Sequence, residues 1–171
     1  MLDDVTATSD DTRDPSRPPS SVQAEDAVIG SLLKTPRVLG DLVVQLSADD
    51  FSSAPHRAAF AAAVSLARRQ VPPDYTTLTE EMAAQGSMAA GAALQFLAEV
   101  NLAVPSAAHA AHYAAIVTRY AVFRRLISSA QLIAEDGWRA VGDPEAVIAR
   151  SIQRLVSIRQ GLPQDLISPA A

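Results

Sequence analysis

The sequence contains no cysteine, and only 5% of its residues are aromatic. The first absence excludes disulfides, thiolate metal sites and cysteine nucleophiles. The second, together with frequent alanine, indicates closely packed helices rather than a β core with bulky side chains. No apolar run approaches the roughly 20 residues that span a bilayer, and the first twenty residues lack the apolar stretch of a secretory signal. We therefore expect a cytoplasmic protein without a membrane segment.

Charge is present but unevenly distributed. The chain has 171 residues, 49% of them hydrophobic, and a formal net charge of −5, which suits one domain with a proper core. Residues 1–26 hold seven acids against two arginines, whereas residues 118–160 hold seven arginines against four acids. Because the whole chain is acidic, we expect its contact with DNA to be weak or indirect.

A two-helix segment organises the second half of the chain. The pattern predicts one helix over about 107–138 and a second over about 144–159. Gly137 and Gly142 mark the end of the first, and Asp143 with Pro144 resembles the start of the next. A short link between two such helices predicts an antiparallel hairpin.

Both helices of this hairpin carry an apolar stripe. In each, the stripe residues are spaced by three and four, as in a heptad pattern. A lone hairpin cannot bury both stripes, so they need a partner, which is either the rest of this chain or a second copy. Spacing alone leaves these alternatives open. The candidate self-association residues are Tyr113, Ile116, Tyr120, Phe123, Ile127, Ile148, Ile152 and Leu155.

The predicted fold class is all-α, with a compact multi-helix head followed by the long antiparallel hairpin. We expect a disordered acidic tail over 1–21, because it is rich in Asp, Ser, Thr and Pro. The head follows over 22–106, then the hairpin over 107–160, and residues 161–171 look like the start of a linker.

Short helices are predicted within the head, each bounded by cap residues or prolines. Ser20 and Ser21 are candidate caps of the first, Thr77 with Glu80 resembles a capping box, and Ser106 can cap the long helix of the hairpin. The predicted head helices cover about 23–33, 38–46, 55–69, 77–86 and 92–100.

Motifs for chemistry are absent from the sequence. There is no G-x-x-x-x-G-K-[ST], no G-x-S-x-G and no H-E-x-x-H, and the stretch Gly30–Thr35 lacks the second glycine of a phosphate-binding loop. We therefore predict no catalytic residue, no cofactor-binding residue and no metal ligand.

The histidines admit a functional and a structural interpretation. His109 and His112 stand three apart on a helix and could clamp a metal, but no third ligand is close in sequence, so we interpret them as solvent-side residues. His56 with Arg57 could be a base beside an anion-binding group. We favour a structural role, in which this pair satisfies local backbone and acids such as Asp49–Asp50.

Two further groups of charged residues have alternative interpretations. Glu80 and Glu81 could act as acid and base, although an exposed pair in a first helical turn is the more typical interpretation. The hairpin arginines could contact nucleic acid. No exposed aromatic residues alternate with them as in single-strand binders, so we interpret them as a solvated face.

Four stretches resemble the N-terminal domain of the DnaB-type replicative DNA helicases. Pro19–Leu33 is similar to the opening of that family, and Asp50–Phe60 resembles its D-F…H-R-x-x-F segment. Asp74–Leu78 resembles its D-x-x-T-L stretch, and Val104–Val117 its V-P-S…Y-x-x-x-V stretch. Their order and spacing also match, over about residues 18–160.

This resemblance implies a helical head with a hairpin that pairs into dimers, and a ring-shaped collar on a hexamer. It implies a homo-oligomer, dimer or hexameric ring, with primase or a helicase loader as partner. The family's ATP hydrolysis belongs to a RecA-like domain beyond a linker, so we expect no enzyme activity from this chain. Gln23 and Asp26 stand where the family more often has glutamate and glutamine. The alternative is a free-standing regulator or adaptor that binds a helicase ring or DNA.

Overall fold

A computed structural model of the chain describes residues 17–103 and 107–161. Most of these residues are helical and none of them forms a strand, which confirms the predicted all-α class. Two short 3-10 turns, Pro36–Val38 and Ala48–Asp50, flank the second helix. The helices are α1 (Val22–Lys34), α2 (Leu39–Gln45), α3 (Ala54–Arg68), α4 (Tyr75–Ala84), α5 (Ala90–Ala103), α6 (Ala110–Arg139) and α7 (Pro144–Gln160).

Some predictions lie outside the described residues. They are Ser106 as the cap of the long helix, most of the acidic tail, and the linker after residue 161. Within the described part, α6 begins after His109, whose side chain makes no capping hydrogen bond.

Two of the predicted helix caps are found, and a third is corrected. The Ser21 hydroxyl accepts a hydrogen bond from the backbone N–H of Ala24, and Asp143 caps α7 with Pro144 in the first turn. The predicted box of Thr77 with Glu80 is wrong, because α4 starts at Tyr75. Asp74 is the cap: its carboxylate accepts from the Thr77 N–H at 2.8 Å, and its own N–H donates to the Thr77 hydroxyl.

The core lies between α1, the helices that pack around it and the first turns of α6. Helix α1 contacts α3, α5 and α6, and α4 bridges α3 and α5. The rings of Phe51 and Phe60 meet at a centroid distance of 5.1 Å. The largest fully buried apolar side chains are Phe51, Phe60, Ile29, Leu32, Leu42, Leu78, Met82 and Leu97.

Helix α6 belongs to two environments. Its first turns are part of the core, since Ala114, Val117 and Ala121 are buried there. Beyond Ala121 no described residue of α6 or α7 is buried. The helix has 30 residues, so it is about 45 Å long, and its far half projects from the head with α7 as the described helix beside it. Ala140 and Gly142 adopt left-handed backbone conformations that turn the chain into α7.

Candidate self-association surface

Two arginines of α6 bind the head at the point where the hairpin begins to project from it. Arg124 donates to the backbone carbonyls of Pro19 (2.9 Å) and Asp50, and Arg125 donates to the Asp50 carboxylate. That carboxylate also accepts from the N–H and the hydroxyl of Ser47, at 2.7 and 2.9 Å. Burial lowers the pKa of the Arg124 guanidinium. For these two arginines the interpretation as a solvated face is wrong, because α6 presents them to the start of α1 and the Asp50 turn.

A buried carboxylate joins α1 to the start of α3. Glu25 is 1% exposed, and its oxygens accept from the N–H (2.8 Å) and hydroxyl (2.6 Å) of Ser52 and from the N–H of Ser53. An anion is stabilised at this position because the free N–H groups of a helix start point towards it. These three hydrogen bonds give the carboxylate a structural role.

His56 and Arg57 also have structural partners. His56 Nε2 lies 2.7 Å from Asp26 Oδ1, and Arg57 donates to the backbone carbonyl of Phe51. The structural interpretation therefore holds, but the acidic partner of His56 comes from α1 and not from the predicted Asp49–Asp50 stretch. Sequence reasoning missed this partner because Asp26 is 30 positions away along the chain.

Glu81 differs from its predicted role as well. It accepts hydrogen bonds from the hydroxyl of Ser65 and from Arg69, so it links α4 to α3. These bonds, with one from Gln85, lower the pKa of the Glu81 carboxyl. Glu80 is exposed, as expected.

The two hairpin helices pair through an inner row of half-buried residues. Arg154 donates from Nη1 to Asp136 Oδ2 at 2.7 Å across the pair, which lowers the pKa of the Asp136 carboxyl. The inner row comprises Ser129, Ile133 and Asp136 on α6, and Val147, Ser151, Arg154 and Ile158 on α7.

The predicted self-association residues fall into two groups. Tyr113 and Ile116 are half-buried and pack against the core of the head. Tyr120 is half-buried farther along α6. The other five are 42–55% exposed, although all are large and apolar; they are Phe123, Ile127, Ile148, Ile152 and Leu155. We call these five the seam face.

Helix geometry puts the seam face on one side of the hairpin. On α7, each residue of the seam face comes one position after a residue of the inner row. The same holds on α6 for Ala130 and Ala134, which lie on the same stripe as Phe123 and Ile127. One position turns the side chain by about 100°. Because α6 and α7 run in opposite directions, this turn carries both rows to the same side. The hairpin therefore presents one continuous apolar surface.

The described residues offer little for chemistry. Within 17–103 and 107–161, no three His, Asp or Glu side chains lie close enough together to hold a metal ion. His109 and His112 are both exposed. No helix in this part of the chain is long and apolar enough to cross a membrane.

The described residues thus form a helical head with an apolar hairpin that projects from it. Residues 17–119 match the family described as "DnaB-like helicase N terminal domain". The match covers more than half of the chain, so the chain belongs to this family, and the resemblance found in the sequence is confirmed.

Curated relatives are replicative helicases several times longer than the matched region. The chain is 34% identical over 143 residues to the replicative DNA helicase DnaB of Geobacillus stearothermophilus, covering 84% of this chain and 32% of that protein. It is 30% identical to the replicative DNA helicase DnaC of Bacillus subtilis, again covering 84% and 32%. The chain thus spans about a third of their length. The matched region is the N-terminal domain of this family.

Solved structures agree with this assignment. The N-terminal domain of DnaB helicase from Mycobacterium tuberculosis superposes with a TM-score of 0.78 at 26% identity, covering 82% of this chain and 99% of that one. A DnaB-like replicative helicase, studied for its interactions with primase, shares the fold with a TM-score of 0.65 at 23% identity over 81% of this chain.

Proposed function

We propose that this domain is the assembly and primase-docking part of a replicative helicase, forming its N-terminal collar in DNA replication. Family membership supplies the context, since the relatives are replicative helicases. The observation that carries the proposal is the seam face, five large apolar side chains on one side of a projecting hairpin. We propose that the domain acts in the cytoplasm.

The occupant of the seam face is a second copy of the same hairpin. Phe123 and Ile127 remain about half exposed, so covering them completely would contribute roughly 1 kcal/mol each, and the three residues of α7 add a similar amount apiece. An isologous pairing counts every such contact twice, because both copies present the same face. Two hairpins pressed together form a four-helix bundle, and dimers of this kind are the units from which we propose that a hexameric ring is built.

Charge substitutions on the seam face test the pairing. Phe123→Asp and Ile127→Asp each place a carboxylate where the partner hairpin would bury it, at a cost of several kcal/mol. We expect wild type to be a dimer or larger, and both variants to be monomers with unchanged helical content. Light scattering coupled to gel filtration measures the mass, and circular dichroism checks the helices.

Ser128→Asp is the matched control for these variants. Ser128 is exposed and directly follows Ile127 in the sequence. One position along the helix turns its side chain by about 100° away from the seam face. It should keep the wild-type mass. If Phe123→Asp and Ile127→Asp also keep it, the hairpins do not pair through this surface.

Primase docking is tested separately, by titrating the cognate primase into the wild-type domain in a calorimeter. The related helicase whose structure was studied with primase supports this partner. We expect saturable binding, weaker for the monomeric Phe123→Asp variant if the site spans two copies. Wild-type dimers that do not bind primase would remove the docking role and favour a helicase loader as the partner.

A further inference from the structure

The tip of the hairpin carries an exposed tryptophan. Trp138 lies in the last turn of α6 with 89% of its surface exposed, and nearby Val141 is 76% exposed. It is the only tryptophan of the sequence. Tryptophan contributes more apolar area than any other side chain and is enriched at the centres of interfaces. Its position at the end of a projecting hairpin therefore indicates a contact with another molecule.

A pocket of about 310 Å³ lies at the opposite end of α6, where the hairpin leaves the head. Ala24 and Ala27 of α1 and Ala103 of α5 form its small walls. Tyr113 and Ile116, the base of the apolar stripe, form the wall on α6. Asp26 adds a carboxylate at its lining; its Oδ1 contacts His56, and its second oxygen is the acceptor for a further N–H group. The pocket is thus continuous with the stripe that leads to the seam face, and it is wide enough for one indole ring.

The register of two paired hairpins follows from the length of the stripe. Beyond the core, the stripe on α6 runs from Tyr120 to Ala134, and its midpoint is Ile127. If the two-fold axis passes Ile127, the stripes of two antiparallel copies overlap along their whole length. This register buries the most apolar area. Trp138 lies eleven positions after Ile127, and Ile116 eleven before it. Each tryptophan is then level with the pocket of the other copy, about 16 Å from the axis along the helix.

Charge favours the antiparallel direction. The tip segment 135–145 holds four acids against one arginine, whereas the base segment 113–125 holds three arginines and no acid. Arg124 and Arg125 are bound to the head, but Arg119 is exposed. Antiparallel copies place each acidic tip on the side of the exposed Arg119, while parallel copies would place the two acidic tips together.

From these observations we infer that Trp138 of each copy inserts into the pocket between α1, α5 and α6 of the other copy, with its indole N–H directed at Asp26. The inference rests on the proposed pairing and extends it: the dimer is closed at both ends by a tip-to-head contact. Each head pocket is completed by a residue from the second copy.

The single tryptophan makes the contact measurable by fluorescence on the full chain. In the dimer, Trp138 should emit at shorter wavelength and be quenched by acrylamide several-fold more slowly than in the monomeric Phe123→Asp variant. Light scattering on the same samples reports whether the dimer is present. A wild-type dimer whose tryptophan is as accessible as that of the monomer overturns the tip contact and leaves the pairing intact. A wild type that is monomeric throughout overturns both.

Ala103→Arg identifies the pocket as the site. Ala103 is exposed at the end of α5, so the arginine is tolerated there and its side chain fills the pocket beside Asp26. We expect the variant dimer to show an exposed Trp138 and to dissociate at several-fold higher concentration than wild type. Ala92→Arg, the same change at an exposed position near the start of α5, is the control and should behave as wild type. A shielded Trp138 in the Ala103→Arg dimer would show that the indole lies elsewhere.

Discussion

Asp50 is the residue on which the joint between head and hairpin depends most. It is nearly buried, it caps its own turn through the N–H and hydroxyl of Ser47, and it holds Arg125 of α6. Hydrogen bonds to a charged group contribute about 1.5–3 kcal/mol, more than neutral ones, and leaving a buried partner unsatisfied is costly. A single carboxylate thus combines a local cap with a contact made 75 positions along the chain.

Replacing this carboxylate by an amide should destabilise the head. Asp50→Asn removes the charge that Arg125 needs, and we expect the free energy of unfolding to fall by about 1–3 kcal/mol. Urea denaturation followed by circular dichroism measures the change. Asp49→Asn is the matched control, because Asp49 is the exposed neighbour, and its midpoint should not move. Equal midpoints for the two variants would contradict a role for the Asp50 joint.

Among the helices, the start of α4 allows the cap that the sequence predicted to be compared with the cap that the structure shows. Asp74→Ala removes the side chain that accepts the Thr77 N–H and should cost about 1 kcal/mol, whereas Glu80→Ala should be neutral. The Thr77 N–H lowers the pKa of Asp74 below its ordinary value near 3.8. Its contribution is therefore complete above the unfolded pKa and is lost as pH falls through the lower folded one.

Because the folded-state pKa of Asp74 is lowered, the cap of α4 can be tested by the pH dependence of stability. The denaturation midpoints of wild type and Asp74→Ala should differ at pH 6. They should converge below pH 3.8, because the wild-type carboxyl then takes up its proton. A loss of stability in Glu80→Ala equal to that in Asp74→Ala would reinstate the capping box that the sequence suggested.

Among the residues that the structure describes, one ion pair joins the two helices of the hairpin. Asp136 accepts from Arg154 across the pair, and neither helix has a buried residue beyond the core. Asp136→Asn should loosen the pair, so that backbone amides of 130–156 exchange hydrogen faster while those of α1 keep their protection. Glu135→Gln, which affects only a long exposed contact with Arg139, is the control. Unchanged exchange in Asp136→Asn would assign the pairing to apolar contacts alone.

For the whole molecule, the parts that sequence patterns predicted well are those that local physics determines. The hairpin helices, expected over 107–138 and 144–159, are found at Ala110–Arg139 and Pro144–Gln160, since glycines, a cap and a proline mark their ends. The hydrogen bonds that connect distant segments of the head could not be predicted in this way. Glu25 with Ser52 and Arg124 with Pro19 join residues far apart in sequence, and no local signal identifies such partners.

The apolar stripe shows the same division. Its spacing predicted one face of a helix, but spacing does not say what covers that face. In the structure the head covers Tyr113 and Ile116, while Phe123 and Ile127 stay exposed. The first alternative left open by the sequence, that the rest of the chain covers the stripe, therefore holds for its start at Tyr113 and Ile116. The self-association role of the exposed part stays a proposal.

The pairing of two hairpins can be checked by the solution mass of the full chain, measured by light scattering across a concentration series. We predict a dimer, or a larger assembly built from dimers, that dissociates to monomers only on dilution. Its large apolar seam face and exposed Trp138 are then covered by a second copy. A mass of 18.0 kDa at every concentration would contradict it. The hairpin would then need a different protein to cover it.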